Sequence, residues 1–394
     1  MCSAAVGDDE GLDSAEVVIV GGGVMGTAIA WHLARAGVRN VLVLEANELG
    51  SGSSGKPLGG VRAQFSSPAN VRLGARSLTA YRDFESTVGA RIGLEQVGYL
   101  FLLRTPDAVA GFEASVRMQN ELGVPSRMIT PAEALNLNPY LDLDGVIAAA
   151  WSAEDGYAHP GSVVRGYATA AGRLGVRFRT GTPVTGIDLN GTEIAGVRTS
   201  SGPIATSTVI CTAGAWSARI GAMAGVDLPV EPLRRQIAFT APLTPSPPRI
   251  PFTIDFDSTF YFHGAGDGSA GLLLGIADPG QPVGFDTGYD EAWLPRLRAA
   301  TARCAPALAE ARLERGWAGL YEMTPDCNAL IGQSPTISRF LYAAGYSGHG
   351  FLQAPATGEI VRDLYLGVPP FCDVSGFDAL RFAGAAERTE LNIV

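Results

Sequence analysis

Residues 17–26 read VVIVGGGVMG, and a single acid, Glu45, closes the segment VLVLE at 41–45. Gly21, Gly23 and Gly26 form G-x-G-x-x-G between an apolar strand, 17–20, and a helical stretch, 27–36. The chemistry of that pattern is dinucleotide binding. Gly21 permits the tight turn, Gly23 lets the backbone approach a pyrophosphate, and Gly26 lets the helix pack closely on the strand. Val24 and Met25 stand at the start of the helix, where unpaired N–H groups and the positive dipole end face the phosphates. Glu45, with Ala46 beside it, follows Gly26 by roughly 20 residues, the interval at which a carboxylate accepts both hydroxyls of an adenosine ribose. A carboxylate there repels a 2′-phosphate, which disfavours NADP and leaves NAD or FAD. A glycine-rich turn in an ordinary α/β protein is the bland alternative, but it does not require the strand, the helix and the acid in this order.

Four further places carry reactive or binding groups. Residues 50–60, GSGSSGKPLGG, are too glycine-rich for a helix or strand interior. Their place between Glu45 and the segment VRAQF, 61–65, suggests a loop whose backbone passes close to a flat cofactor ring. Lys56 in this loop is the only lysine in the chain, every other basic residue being arginine. Arg62 follows the loop and is a candidate for a substrate carboxylate, since a guanidinium binds one by a bidentate fork; the plain alternative is a structural arginine. Tyr261 and His263 lie two apart in the expected strand FYFH and so share a face. Both are candidates for the substrate side, and His263 is equally consistent with an ordinary buried histidine. The loop 345–350 ahead of a closing helix directs glycine N–H groups at whatever lies before it.

These groups need elements to hold them. Apolar spacing gives helices over 71–88, 108–122, 131–135, 162–174, 291–304 and 356–366. Strands are expected over 97–103, 176–179, 184–188, 194–199, 204–205, 208–212, 229–240, 252–262, 272–276 and 340–344. Residues 241–251 hold five prolines and form a rigid loop.

Taken in order, VVIVGGGVMG with Glu45, GSGSSGKPLGGVRAQF, VICTAGAWS, FDSTFYFHGAGDG, WAGLYEMTPD and GYSGHGF resemble the FAD-dependent D-amino-acid-oxidase superfamily. The branch they resemble is that of sarcosine oxidase β-subunit, dimethylglycine dehydrogenase and dye-linked proline dehydrogenase. The resemblance covers nearly the whole chain. It implies an α/β fold: a discontinuous Rossmann-like FAD-binding domain over 15–85, 145–225 and 317–394. A second, α+β substrate-binding domain on an antiparallel sheet would take 86–144 and 226–316. Residues 1–14 are expected to be a disordered tail.

The same resemblance implies roles by position. Gly21, Gly23 and Gly26 would hold the pyrophosphate and Glu45 the ribose. Val184 would pair its backbone with adenine. Ala213 and Gly214 would pass beside the pyrophosphate, next to Trp216. Ser53, Ser54, Gly55, Lys56, Leu58, Gly59 and Gly60 would line the isoalloxazine. Gly345, Gly348, His349, Gly350, Phe351 and Leu352 would surround its pyrimidine end. Arg62 would bind the substrate carboxylate, and Tyr321 would close the pocket. The implied reaction is oxidation of a secondary or tertiary amine, an N-alkyl or cyclic amino acid, by hydride transfer to flavin N5; the imine formed then hydrolyses.

Departures from the family pattern sharpen this. Gly319 stands where monomeric sarcosine oxidases have a flavin-linking cysteine, and no histidine occurs between His32 and His159. Non-covalent FAD is therefore expected. Leu273 stands where an oxygen-activating lysine would be, which leaves Lys56 as a candidate cation from the other side of the ring. Tyr321 replaces the arginine of glycine oxidases, which disfavours a glycine or D-amino-acid oxidase. An NAD-dependent dehydrogenase is disfavoured by the glycine-rich loops at both ends of the chain. A flavin-bearing assembly factor, or a subunit that passes electrons to a partner or separate acceptor, is the non-catalytic reading.

Bulk properties set the frame. The 394 residues suffice for two domains, and 46% hydrophobic with 17% charged residues describe a globular protein. The net charge of −10 argues against a nucleic-acid partner. No apolar run is long enough for a bilayer, and residues 1–14 lack a signal-peptide core, so no membrane association is expected. Five cysteines without metal spacing point to a reducing, cytoplasmic location and to no metal site.

Overall fold

The structure is a computed structural model and describes residues 13–266, 268–383 and 389–392. A six-stranded sheet runs in the order Leu330–Gln333, Phe340–Ala344, Val209–Cys211, Val17–Val20, Val41–Leu44, Arg177–Arg179. Every pairing is parallel except that between Leu330–Gln333 and Phe340–Ala344. Both faces are covered, which is why its central strands read as unbroken runs of Val, Ile and Leu. Val17, Ile19, Val41 and Val43 pack towards the helices Val24–Arg35, Pro160–Arg173 and Gly350–Leu366. Val18, Val20, Leu42 and Leu44 face the other way, onto Ile187, Ile194, Val197 and Ile204 of a four-stranded sheet.

That smaller sheet takes its edge strand from Asp13–Ser14, paired in parallel with Ile204–Ala205. Asp13 is held by Arg177 and Arg179. The expected disordered tail, 1–14, is corrected at these two residues; residues 1–12 lie outside the described ones.

An eight-stranded sheet forms the rest. Its order is Leu313–Met323, Glu231–Thr240, Leu272–Gly275, Phe260–Gly264, Phe252–Asp255, Tyr99–Leu103, Ala148–Ser152, Ser126–Ile129. It is antiparallel apart from one parallel pair, Phe252–Asp255 with Tyr99–Leu103. Helix Leu294–Cys304 packs through Leu297 and Ala300 onto Phe260, Phe262 and Leu274. The expected boundaries at 145 and 317 put Ala148–Ser152 and the end of Leu313–Met323 with the cofactor part, yet both strands are hydrogen bonded into this sheet. Pairing partners remote in sequence decide that membership, and they leave no local signal.

Two elements differ from expectation for identifiable reasons. The stretch 71–88 is two helices, Pro68–Arg82 and Phe84–Val88, broken at Asp83 and opened by a Ser67 cap that accepts from Asn70 N. The closing helix begins at Gly350, six residues before the expected start at 356, and carries Pro355 inside it. Proline lacks the N–H that would bond the carbonyl four residues back, that of Phe351. The Tyr81 hydroxyl donates to that carbonyl at 2.5 Å, so the helix continues through the proline.

Candidate functional site

A cavity of about 540 Å³ runs between the six-stranded and eight-stranded sheets. At one end Gly21 sits at φ +113°, and a Cβ there would lie 2.4 Å from the Thr212 carbonyl oxygen. A Cβ on Gly26 would lie 1.9 Å from the Gly21 carbonyl oxygen, so the helix approaches the strand more closely than any side chain allows. Helix Val24–Arg35 has Gly23 at its N-cap and no side-chain cap. Ser54 Oγ accepts from Val24 N at 2.9 Å, which pins the serine-rich loop to the helix start. The Glu45 carboxylate accepts from Gly22 N at 2.8 Å and Asn47 N at 2.9 Å, and it stands in the cavity wall.

These observations meet the needs of FAD. A glycine-built strand–helix turn offers backbone donors to a diphosphate, and a carboxylate oriented by two backbone N–H groups stands in the same cavity for a ribose. Ala46 and Val184 lie in the wall at the Glu45 end; Ala213, Gly214 and Trp216 also line the cavity.

Of the candidate cofactor and substrate residues named in the sequence, all line this cavity except Gly26, Gly55, Gly345 and His263. The three glycines act one layer back. Gly26 receives the Gly21 carbonyl, and a Cβ on Gly55 would lie 2.6 Å from the Gly50 carbonyl oxygen. Gly345, at φ +70°, donates its N–H to Glu322 Oε2 at 3.0 Å. His263 does share a face with Tyr261, but its ring is stacked at 4.5 Å on Phe252 and lies 4.6 Å from Tyr157. Phe252 takes the place in the wall, and burial pushes the His263 imidazole down to about 3. His263 is thus a neutral packing residue here, which corrects its expected place facing substrate.

The far end of the cavity is made of side chains. Tyr321 lies against Gly348, where a Cβ would be 2.6 Å from the ring, and the stem of Lys56 fills the space over Gly319. Trp317 Nε1 donates to the Lys56 carbonyl at 2.8 Å and fixes the loop there. Tyr99, Phe252, Ile254 and Tyr261 complete an aromatic and apolar wall. Leu273 packs with Ile237 and Phe239 in the adjoining core.

Arg62 reaches the wall, but its guanidinium is already engaged. It donates to the backbone carbonyls of Gln64 and Asn392, lies 3.2 Å from His349 Nε2, and stacks 4.3 Å above the Phe65 ring. Burial lowers the Arg62 pKa, and burial with the Arg62 charge holds His349 well below its usual value. His349 is therefore a neutral imidazole whose Nε2 accepts from Arg62. A carboxylate fork is not free on Arg62, which corrects the expectation drawn from its place after the loop. The segment 389–392 that supplies one of its acceptors is tied down by Glu390, which accepts from Ser66 N, Ser66 Oγ and Asn70 Nδ2.

Three wall residues carried no sequence signal strong enough to find them. Glu322 lies beside Gly214, and burial lifts its carboxyl to about 7. Tyr99 is buried against Phe252 at 4.3 Å. Arg235 shares a strand face with Ile237, and the alternation of Glu231–Thr240 could have placed it there. Which strands flank it could not be read from the chain. Among the described residues, no cluster of His, Cys, Asp or Glu suits a metal ion, and no helix is long and apolar enough to cross a membrane.

Comparison with known proteins agrees with this geometry. The chain is 29% identical to 4-methylaminobutanoate oxidase (formaldehyde-forming) of Paenarthrobacter nicotinovorans and 29% to mitochondrial dimethylglycine dehydrogenase of Rattus norvegicus. Those matches cover 93% and 94% of this chain but 45% of each relative, so the chain spans less than half the length of these curated relatives. Among solved structures, L-proline dehydrogenase from P. horikoshii superposes with a TM-score of 0.88 at 35% identity, covering 94% of this chain and 98% of that one. Glycine oxidase from Geobacillus kaustophilus gives 0.82 at 27%, covering 94% and 99%. The model of the FAD dependent oxidoreductase family matches residues 16–364, and the chain belongs to that family.

Proposed function

We propose that this protein oxidises a secondary or tertiary amine, an N-alkyl or cyclic amino acid, with FAD held in the cavity between the two large sheets. In this reading the six-stranded sheet with its helices serves the cofactor and the eight-stranded sheet serves the substrate. Bound FAD supplies the two-electron acceptor for a C–H bond next to nitrogen, and the resulting imine hydrolyses in water. The chain's own residues bind, orient and exclude water. Gly21, Gly23 and the start of helix Val24–Arg35 would hold the diphosphate, and Glu45 the ribose. The turn Gly348–Gly350 would present N–H groups to the ring. Tyr99, Phe252, Tyr261 and Tyr321 wall off an apolar chamber that favours the neutral amine over the ammonium form.

The observation that carries the reading is the continuity of one cavity from Glu45 to the aromatic chamber. The names of the relatives point the same way, since 4-methylaminobutanoate, dimethylglycine and L-proline all carry an N-substituted nitrogen. Tyr321 in the wall, in place of an arginine, supports N-substituted acids over glycine or D-amino acids. No cysteine lines the cavity, and His349, turned to Arg62, is the one histidine in its wall among the described residues, which supports non-covalent FAD. The four described cysteines are free thiols, which supports a reducing, cytoplasmic location.

The test is anaerobic. Purified protein should be yellow, should release its flavin on acid precipitation, and should bleach with N-methyl or cyclic amino acids. A yellow protein that no amine of such a panel bleaches would instead favour an assembly factor or a subunit dependent on a partner.

A further inference from the structure

We propose that Arg235 is the group that binds the carboxylate of the substrate, and that the substrate is therefore an amino acid whose acid end lies under strand Glu231–Thr240. The proposal rests on the amine-oxidation reading above and adds to it the direction in which the substrate lies.

Register places Arg235 in the chamber. It stands opposite Gly319, two residues from Tyr321, and its guanidinium carbon lies 5.2 Å from the centre of the Tyr321 ring. On the other side, Ile237 pairs with Gly275 and Gly275 with Tyr261. Gly275 has no side chain, and the Tyr261 ring lies over it; a Cβ there would be 2.4 Å from the Tyr261 hydroxyl. Arg235 is thus flanked by two tyrosines, and all three line the cavity.

Its charge is unanswered. Nε is buried without a hydrogen-bond partner, and the one hydrogen bond from Nη1 goes to the neighbouring Arg234 carbonyl at 3.3 Å. The surrounding carboxylates are committed elsewhere. Arg234, on the opposite face, takes Asp286 at 2.7 Å and Asp290 at 3.7 Å. Asp278 accepts from Gln281 and Gly280. Behind Arg235 a second cavity holds Arg296, Arg303 and Asp257, and Asp257 is taken by Arg303 at 3.3 Å. No carboxylate of the described residues forms an ion pair with Arg235. A partly buried guanidinium with a free Nε edge and no anion has a large gain in reserve from a planar, bidentate acid. Arg62 offers the reverse case, with three of its N–H donors, both of those on Nη2 among them, taken by two backbone carbonyls and His349.

The test uses pyrrole-2-carboxylate, a flat acid with no oxidisable C–H next to nitrogen, titrated into the flavin-loaded protein and followed by the flavin absorbance change. Wild type should bind it, and Arg235→Leu should weaken binding about 10- to 100-fold, as loss of a charged hydrogen-bonded pair implies. The neutral analogue pyrrole-2-carboxamide should bind both proteins alike. Arg235→Lys keeps the charge but loses the fork. It should fall between the two, and it decides the matter if Arg235→Leu does not fold. With amino-acid substrate, KM should rise by the same factor while kcat changes little. Equal binding of the acid to wild type and to the Arg235 variants overturns the proposal and leaves amine oxidation standing. A wild-type protein that neither bleaches with any amine nor binds the acid overturns both.

Discussion

At the Glu45 end of the cavity the diphosphate cradle is a backbone turn of glycines; at the Tyr321 end the wall is side chain. The first is set by Gly21, Gly23 and a helix whose N-cap is a glycine, within one stretch of chain, with Glu45 held by the N–H groups of Gly22 and Asn47. The second gathers Arg62, Tyr99, Arg235, Tyr261, Tyr321 and Gly348 from segments far apart in sequence. A dinucleotide presents the same diphosphate and ribose to every protein that binds it, so the backbone can be shaped once and for all. A substrate varies, and a chamber lined by side chains changes specificity without disturbing the frame.

That contrast predicts an all-or-none response at the first end. Gly21→Ala places a Cβ 2.4 Å from the Thr212 carbonyl oxygen at φ +113°. Neither neighbour is the tip of a movable side chain, so overpacking and torsional strain together cost about 2–6 kcal/mol. Purified Gly21→Ala protein should carry less than about a tenth of the wild-type flavin, read as the ratio of flavin to protein absorbance. Full flavin content would show that the turn is not the tight cradle described.

The same contrast explains what could be read from the chain. The βαβ unit was legible because strand, turn, helix and acid are contiguous and each glycine has a local reason. Arg62 was legible as a residue near the ring but not as one already engaged, since its acceptor at Asn392 lies 330 positions away. His263 shares the Tyr261 face as strand periodicity requires, but nothing local tells that Phe252 covers it. The start of the closing helix is not legible locally, because a proline such as Pro355 ends a helix unless the orphaned carbonyl finds another donor, and that donor, Tyr81, comes from a different helix.

Between the two ends stands Glu322, where a smaller and pH-dependent effect is expected. Burial raises its carboxyl from 4.5 to about 7. The folded state therefore holds a proton that the unfolded state releases above pH 4.5. Its stabilising contribution is complete below that pH and is lost as pH rises through about 7. The shift corresponds to about 3 kcal/mol at most, and solvent in the cavity brings the expected figure to about 1–2 kcal/mol. Glu322→Gln cannot ionise, yet its amide oxygen still accepts from Gly345 N. Its urea midpoint should match wild type near pH 4.5 and exceed it at pH 8. Parallel curves would mean that Glu322 is ionised in the wall at neutral pH.

The smallest effect on the cofactor is expected where a side chain supports the second end from behind. Tyr81→Phe keeps the ring that stacks at 5.4 Å on Phe351 and removes only the hydroxyl that satisfies the Phe351 carbonyl. Pro355 has no N–H to take its place, so a buried acceptor is left unpaired at a cost of about 1–3 kcal/mol. For a chain of this length that lowers the melting temperature by only a few degrees, about 2–4 °C per kcal/mol or somewhat less. Flavin content should stay at the wild-type level, because Gly21, Gly23 and Glu45 are untouched. Phe351 lines the cavity beside Gly350 and Leu352, so the turn that ends there loosens, and KM for the amine should rise modestly with it. An unchanged melting temperature would mean that the Phe351 carbonyl finds another donor and that the helix passes its proline without help from Tyr81. A loss of flavin would erase the distinction between the two ends, since a side-chain change at one would then have undone the backbone cradle at the other.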